Sequence, residues 1–200
     1  MQALDQQYWN NRYQQKETGW DIGYPSTPLK EYIDQLDNKD IAILIPGCGN
    51  SYEAEYLLEK GFSNITLIDI APSLTKKLEE KFAKELNKRI RIITGDFFEQ
   101  QQQYDLILEQ TFFCALDPSM REQYVQKMYE LLKPGGKLVG VLFGRSFEGG
   151  PPFGGSREEY EPLFSKKFKI EILEACYNSI KPREGTELFV KMARSVNRES

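Results

Sequence analysis

The chain has 200 residues, 40% of them apolar and 12% of them aromatic, which suits one domain with a substantial core. A net charge of −4 and an isoelectric point near 5.2 argue against a nucleic-acid-binding surface. A mean hydropathy of −0.55 without long apolar runs argues against a membrane span, and the lack of any histidine excludes Ser-His and Cys-His nucleophile pairs.

The N-terminal sequence and the cysteines indicate a cytoplasmic protein. The segment "MQALDQQYWNNRYQQKE" has no apolar stretch of the signal-peptide kind. Cys48, Cys114 and Cys176 are odd in number and widely spaced, which fits neither a disulfide framework nor a metal site. We expect a monomer or weak dimer that acts on a small molecule and has neither a nucleic-acid nor a membrane partner.

Apolar runs alternate with helix-period segments along most of the chain. The predicted strands are residues 41–45, 65–70, 90–94, 104–109 and 137–143, and the predicted helices are residues 52–60, 73–87 and 119–132. Runs such as "IAILI" and "KLVGVLF" are apolar at every position, which is typical of parallel strands buried on both faces. This order predicts an α/β fold in which helices cover a parallel sheet.

The last third of the chain changes this pattern. A predicted helix at residues 156–165 leads to "FKIEILEACY" and "TELFVKMAR", two strand-like runs with only a loop between them. Without an intervening helix they should pair antiparallel, which gives seven strands in one domain of residues 1–200. Residues 195–200 are predicted to be a frayed tail.

The first predicted strand ends in the glycine-rich sequence "PGCGNS". In open α/β sheets, ligands bind beyond the carboxyl ends of the strands, where glycines let the backbone approach them closely. Gly47 and Gly49 therefore predict a binding bend, although a tight turn without a ligand would have the same pattern. Asn50 is expected to cap the following helix, with support from Glu53 three residues later.

Acidic residues follow the next two predicted strands. Asp69 ends "ITLID" at the place where a carboxylate accepts hydrogen bonds from the hydroxyls of a ribose. Asp96 and Phe97 follow the third strand, where an acid and a ring can hold an adenine. Capping of a loop and packing in the core are the alternatives for these residues.

Two features distinguish among the nucleoside cofactors. The third position of a dinucleotide-binding G-x-G-x-x-G sequence holds Tyr52, and a bulky ring there argues against NAD and FAD. The chain also lacks a G-x-x-x-x-G-K-[ST] sequence, which excludes P-loop nucleotidases. S-adenosylmethionine, which has adenine and ribose but no phosphates, fits this pattern.

The motifs together resemble a known family. "PGCGNS", "LIDI", "TGDFF" and "LLKPGGKLVGVLF" are similar to class I S-adenosylmethionine-dependent methyltransferases. "YWNNRYQQKETGWDIG", "FFCALDPSMREQYVQKM" and "GGPPFGGSREEYEPLF" resemble the thiopurine S-methyltransferase superfamily, and within it the halide and thiol methyltransferases. The resemblance implies a Rossmann-like three-layer sandwich with a C-terminal antiparallel hairpin and S-adenosyl-L-methionine as cofactor.

The resemblance also implies roles for individual residues. Residues 1–35 would cover the cofactor, although their aromatic rings could instead plug the open end of the sheet. The implied cofactor-binding residues are Trp9, Tyr13 and Trp20 in this cover, Gly47 and Gly49 in the glycine bend, Asp69 and Ile70 at the ribose, Asp96 and Phe97 at the adenine, and Glu109, Gln110 and Thr111 at the methionine end.

Methyl transfer to a soft anion needs no strong general base, so we expect none. The expected substrate-side residues are Arg121, Phe112 and Phe153, and residues 144–156, "GRSFEGGPPFGGS", are expected to form a flap over the acceptor. A long surface connection is the alternative for that segment, and packing is expected for Cys48 and Cys114.

Three functions remain open on this reading. The first is methyl transfer to a thiol, hydrosulfide, thiopurine-like thiol or halide. The second is O- or N-methylation of another small metabolite, which would need a base other than histidine. The third is a non-catalytic module that binds S-adenosylmethionine or S-adenosylhomocysteine, since a fold alone does not fix a function.

Overall fold

One seven-stranded sheet forms the middle layer of the computed structural model, which describes residues 3–195. Its strands are β1 (Ile43–Pro46), β2 (Ile65–Asp69), β3 (Ile90–Thr94), β4 (Tyr104–Gln110), β5 (Leu132–Phe143), β6 (Phe168–Ala175) and β7 (Glu187–Arg194), in the spatial order β3-β2-β1-β4-β5-β7-β6. The helices are α1 (Gln6–Gln14), α2 (Thr27–Asp34), α3 (Tyr52–Glu59), α4 (Pro72–Lys81), α5 (Arg121–Leu131) and α6 (Arg157–Ser165).

The pairing of the strands confirms the predicted fold. β1 to β5 are parallel neighbours, with Ile43 opposite Ile65 on one side and Leu106 on the other. β7 lies antiparallel between β5 and β6, so the last two strands form the expected hairpin. The strand order changes direction at β1 and β4, and open α/β sheets bind ligands at such a point.

Alternating side chains of the central strands pack on two helical layers. Ile43 and Ile45 of β1 belong to one apolar cluster with residues of α2, α3 and α4, whereas Leu44 belongs to a second cluster with residues of α5 and α6. All three side chains are buried. Burying a side chain of this size stabilises a fold by about 1.5–3 kcal/mol, so both layers are held firmly to the sheet.

Most predicted boundaries lie within two residues of those in the structure, and two differ by about five. The helix predicted to reach residue 87 ends at Lys81, because the buried ring of Phe82 begins a run of turns in which Asn87 is left-handed, with φ of +57°. β5 begins at Leu132 rather than at residue 137, and Leu132 pairs with Tyr104 before an irregularity in the register.

The N-terminal segment contains two helices that the sequence analysis did not identify. α1 begins at a cap in which the Asp5 carboxylate accepts the N–H of Tyr8 at 2.9 Å. α2 packs against α3 and β5. Residues 196–200 of the predicted tail lie outside the described residues, and within residues 3–195 no helix is long and apolar enough to cross a membrane.

Candidate functional site

A cavity of about 780 Å³ lies beyond the carboxyl ends of the parallel strands. Among the residues predicted for the site, it is lined by Trp9, Tyr13, Trp20, Gly47, Asp69, Ile70, Asp96, Phe97, Thr111 and Phe112. Gly49, Glu109, Gln110, Arg121 and Phe153, which were also predicted, are outside this lining. Positions distant in sequence thus meet at one edge of the sheet, as the parallel order of the strands requires.

The glycine bend after β1 is shaped by the ring of Phe112. Gly47 has φ of +54°, and a Cβ atom there would lie 2.2 Å from Cδ2 of Phe112. The missing side chain therefore serves two purposes, because glycine accepts left-handed backbone and leaves room for a ring that lines the cavity. Gly49 is also left-handed, with φ of +51°.

The predicted cap of α3 is wrong. Ser51 rather than Asn50 precedes the helix, and it adopts a left-handed conformation with φ of +53°. Asn50 instead donates its side-chain N–H to Asp21 of the N-terminal segment. The carboxylate of Glu53 accepts the backbone N–H of Ser26 at 2.9 Å, so long-range contacts compete successfully for both side chains.

Asp69 joins the ends of β1 and β2 at the cavity wall. Its carboxylate accepts the N–H of Ala71 at 3.0 Å and the N–H of Gly49 at 3.4 Å, and only 6% of the residue is exposed. Burial raises the pKa of this carboxyl from 3.8 to about 6, against the opposing effect of the backbone N–H groups. Gly49 thus contributes to the site by holding Asp69 rather than by lining the cavity.

Asp96 and Phe97 line the cavity after β3. Asp96 accepts the N–H of Phe98 at 2.9 Å and caps a short 3-10 turn. The ring of Phe97 is 4% exposed and packs edge-on against Phe112, with 5.1 Å between ring centroids. A flat apolar surface beside a carboxylate results, which suits an aromatic base with an amino group.

At the end of β4, Thr111 lines the cavity as predicted, whereas Glu109 and Gln110 do not. Glu109 is 1% exposed and contacts the turn after β4, where it accepts the N–H groups of Phe112 at 2.8 Å and Phe113 at 3.0 Å, and it also accepts the hydroxyl of Tyr124 at 2.5 Å. Burial raises the pKa of this carboxyl, whereas these three donors lower it. Glu109 therefore shapes the turn that carries Thr111 and Phe112 into the cavity.

Three aromatic rings of the N-terminal segment form part of the cavity wall. Trp20 lies edge-on to Trp9 and to Tyr13, with centroid distances of 5.7 Å in both cases. Burial, with the nearby charge of Asp69, raises the pKa of the Tyr13 phenol above 10, so this hydroxyl is a donor rather than a base. We call residues 3–23 the cover, because α2 packs elsewhere.

Arg183 is a cavity residue that the sequence analysis missed. It lies between β6 and β7, and its guanidinium donates to the carbonyl of Trp20 at 2.9 Å and to the buried carboxylate of Glu187 at 3.4 Å. The guanidinium also lies 5.6 Å from the ring centroid of Phe143, at the end of β5. No local motif in "KPREGTE" signals this position, since it depends on β7 entering the sheet beside β5.

Residues 144–156, the predicted flap, form another part of the cavity wall. Pro151 and Pro152 line the cavity, whereas Phe153 donates its backbone N–H to the carbonyl of Cys114 at 2.6 Å. Arg121, predicted to meet the acceptor, instead donates to the carbonyl of Gly154 at 2.6 Å. Its guanidinium also lies over the ring of Phe113, which explains a cation in the first turn of a helix.

Arg121→Ala is expected to raise the KM for the acceptor about threefold to tenfold and to leave cofactor affinity nearly unchanged. The substitution removes the charge-assisted hydrogen bond that fixes the flap through Gly154. Arg157→Ala, on the exposed surface of α6, is the control. Limited proteolysis with and without S-adenosylhomocysteine then tests the flap directly, and identical cleavage in both states would contradict it.

The titratable groups around the cavity are already engaged in structural contacts. Asp5, Asp69, Asp96 and Asp117 each accept a backbone N–H at or near the start of a helical segment or turn. Burial raises the pKa of the Cys114 thiol to about 12, so this side chain stays protonated. Each of the four aspartates in the cavity lining therefore has at least one structural contact.

Sequence comparisons show which known proteins the chain resembles. The family model described as thiopurine S-methyltransferase (TPMT) matches residues 4–196. A protein of Arabidopsis thaliana named "Probable thiol methyltransferase 2" is 30% identical, over 94% of this chain and 84% of its own. Thiocyanate methyltransferase 1 of Brassica oleracea is 29% identical, over 93% and 84%, and thiopurine S-methyltransferase of Acinetobacter baylyi is 28% identical, over 86% and 88%.

Comparison with solved structures supports the fold. The 1,6-didemethyltoxoflavin-N1-methyltransferase of Burkholderia thailandensis, solved with S-adenosylhomocysteine, superposes with a TM-score of 0.74 at 16% identity, over 95% of this chain and 87% of that one. A TehB-like SAM-dependent methyltransferase from Corynebacterium glutamicum gives a TM-score of 0.67 at 16% identity, over 95% and 98%. At these identities the likeness extends to the class I methyltransferase architecture alone.

Proposed function

The chain belongs to the thiopurine S-methyltransferase family of S-adenosylmethionine-dependent methyltransferases, and on this premise we propose that it methylates a small soft nucleophile. The proposed acceptors are a thiol, hydrosulfide, a thiopurine-like thiol or a halide. One observation carries the proposal: the cavity wall combines the cation of Arg183 with apolar rings and prolines, while the carboxylates around it hold backbone N–H groups.

The residues around the cavity fit S-adenosyl-L-methionine. The bend at Gly47 keeps backbone free of a side chain next to Phe112, and the buried carboxylate of Asp69 would accept the hydroxyls of a ribose. Asp96 and Phe97 would hold an adenine, and the cover would place aromatic faces beside a positively charged sulfur. When bound, the cofactor supplies an electrophilic methyl group on that sulfur.

Arg183 is the proposed residue for orienting the acceptor. Its guanidinium is fixed by Glu187 and by the carbonyl of Trp20, so little side-chain freedom remains to be lost when an anion binds. Phe143, Pro151 and Pro152 add apolar surface to the same cavity wall. A soft anion needs orientation and desolvation rather than deprotonation, and orientation alone can contribute about 7–11 kcal/mol to a reaction.

The acceptor panel that tests this proposal contains sulfide, aliphatic and aromatic thiols, a thiopurine, thiocyanate and iodide. Each is offered with methyl-labelled cofactor, and kcat/KM is compared between wild type and Arg183→Ala. We expect losses of about 10–100-fold for anionic acceptors, because a hydrogen bond to a charged group contributes about 1.5–3 kcal/mol. Arg183→Lys should recover only part of this loss, since an ammonium lacks the planar fork.

Lys181→Ala is the matched control, because it removes an exposed cation from the same connection. Turnover of oxygen or nitrogen acceptors in preference to the whole panel would overturn the proposed acceptor class. Cofactor binding without turnover of any acceptor would instead indicate a binding module.

A further inference from the structure

One carboxylate of the cover contacts the segment that follows the glycine bend. Asp21 accepts a hydrogen bond from the side-chain N–H of Asn50 and another, at 3.2 Å, from the hydroxyl of Tyr52. Its second oxygen accepts the N–H of Gly23 at 2.8 Å, which fixes the carboxylate within its own turn. These contacts join residues about thirty positions apart, so they specify how the cover docks rather than its local structure.

The backbone between the two donors has an unusual conformation that aims them at the same acceptor. Ser51, which separates Asn50 from Tyr52, is left-handed with φ of +53°, a conformation that costs a residue other than glycine about 1–2 kcal/mol. The carbonyl of Cys48 accepts both the backbone N–H and the hydroxyl of Ser51 at 3.0 Å. A strained backbone conformation of this kind is kept only where the surrounding contacts hold it in place.

Tyr52 takes part in this arrangement through the hydrogen bond from its hydroxyl to Asp21. Its place in "GCGNSY" is where a dinucleotide-binding sequence has its third glycine. The ring lies 5.0 Å from the ammonium of Lys81, which also donates to the carbonyl of Asn50 at 2.8 Å. The contact with Lys81 therefore supports the Tyr52 ring in the position from which its hydroxyl donates to Asp21 of the cover.

The peptide next to Asp21 is held from another direction as well. The carbonyl of Trp20 accepts a hydrogen bond from Arg183 at 2.9 Å. Residues 20 and 21 therefore connect the glycine bend, the aromatic wall and the β6–β7 connection. Release of either contact would free the part of the cover that carries Trp20.

We infer that Asp21 is a positioning residue for the cofactor, acting with Asn50 and Tyr52 as a latch that keeps the cover closed. The hydrogen bonds hold Trp20 against the cavity, so bound cofactor or product leaves when they break. The inference rests on the cofactor site of the proposed function and is independent of the acceptor. It predicts that weakening the latch accelerates ligand release without changing the acceptor chemistry.

Stopped-flow tryptophan fluorescence measures this directly, because both tryptophans of the chain lie in the cover. Asp21→Asn is expected to raise the dissociation rate constant of S-adenosylhomocysteine about tenfold, and Tyr52→Phe about threefold. The double variant should release the ligand no faster than Asp21→Asn alone, because the amide of asparagine has only one acceptor oxygen, which the backbone N–H of Gly23 engages.

Tyr24→Phe is the matched control, since it removes the same hydroxyl from an exposed ring three residues after Asp21. An unchanged dissociation rate constant in Asp21→Asn would contradict the latch, and so would additive effects in the double variant. Neither result would contradict the proposed cofactor site. Wild type that fails to bind S-adenosylhomocysteine at millimolar concentration would overturn the cofactor site and the latch together. The melting temperature of each variant separates release from loss of folding.

Discussion

Gly47→Ala is expected to weaken binding of S-adenosylhomocysteine by roughly 10–100-fold, measured by isothermal titration calorimetry. The new Cβ would lie 2.2 Å from the ring of Phe112, so the ring or the bend must move. Overpacking of this kind costs about 1–3 kcal/mol, and each 1.4 kcal/mol changes a dissociation constant about tenfold. We expect this free-energy cost to weaken ligand binding, because Gly47 and Phe112 both line the cavity.

Gly61→Ala separates this effect from backbone strain. Gly61 has φ of +88°, so alanine there is also strained by a left-handed conformation. Its Cβ would have no neighbour within 4 Å. Both variants should lose about 1–2 kcal/mol of unfolding free energy from strain, measured by urea titration. Only Gly47→Ala should lose the cofactor, and equal affinity in the two variants would show that Phe112 and the bend do not shape the site.

Asp69→Asn is expected to raise the dissociation constant of S-adenosylhomocysteine by about 10–100-fold at neutral pH, because a charge-assisted acceptor is replaced by a neutral amide. In wild type the affinity should depend on pH. The pKa of Asp69 is raised to about 6, so affinity should fall about tenfold between neutral pH and about pH 5 as the carboxylate is protonated. The asparagine variant should lack this dependence.

Folding stability should change in the opposite direction to binding. Burial raises the folded-state pKa of Asp69 from 3.8 to about 6, so protonation favours the folded protein. The stability contributed by this group is complete below its unfolded pKa and is lost as the pH rises through about 6. The contribution of Asp69 is obtained as the difference in unfolding free energy between wild type and Asp69→Asn, measured as a function of pH across this range.

Asp37→Asn, on the exposed surface, is the charge control for both measurements. Cofactor affinity that is independent of pH in wild type would contradict the assignment of Asp69 to the site. The same conclusion would follow if the variant retained the pH dependence of wild type.

The residues at the ends of the first strands could be placed from sequence. Gly47 follows the apolar run "IAILIP", Asp69 ends the strand-like run "ITLID", and Asp96 follows the strand-like run "IRIIT". The carboxyl ends of parallel strands share one edge, so residues there meet whatever the details of the loops. Asp69 and Gly47 line the same cavity for this reason.

The direction of the Glu109 side chain could not be predicted from a motif alone. The chain order places it at the end of β4, but the direction of its side chain depends on the hydroxyl of Tyr124 from α5 and the backbone of the following turn. The carboxylate is buried at the turn after β4 because these donors satisfy it there. Arg121 lies outside the cavity lining for a similar reason, since the carbonyl of Gly154 and two rings contact its guanidinium.

The sequence by itself determined the layered sheet and the glycine bend, because these follow from local runs and from the order of the strands. The cofactor was indicated by motifs that resemble a known family. Only the tertiary structure decided that Arg183 reaches the cavity and that Asp21 meets Asn50 and Tyr52. Such contacts join loops whose approach is set by packing on both sides of the sheet. Local patterns specify where a chain turns, whereas packing specifies which turns face each other.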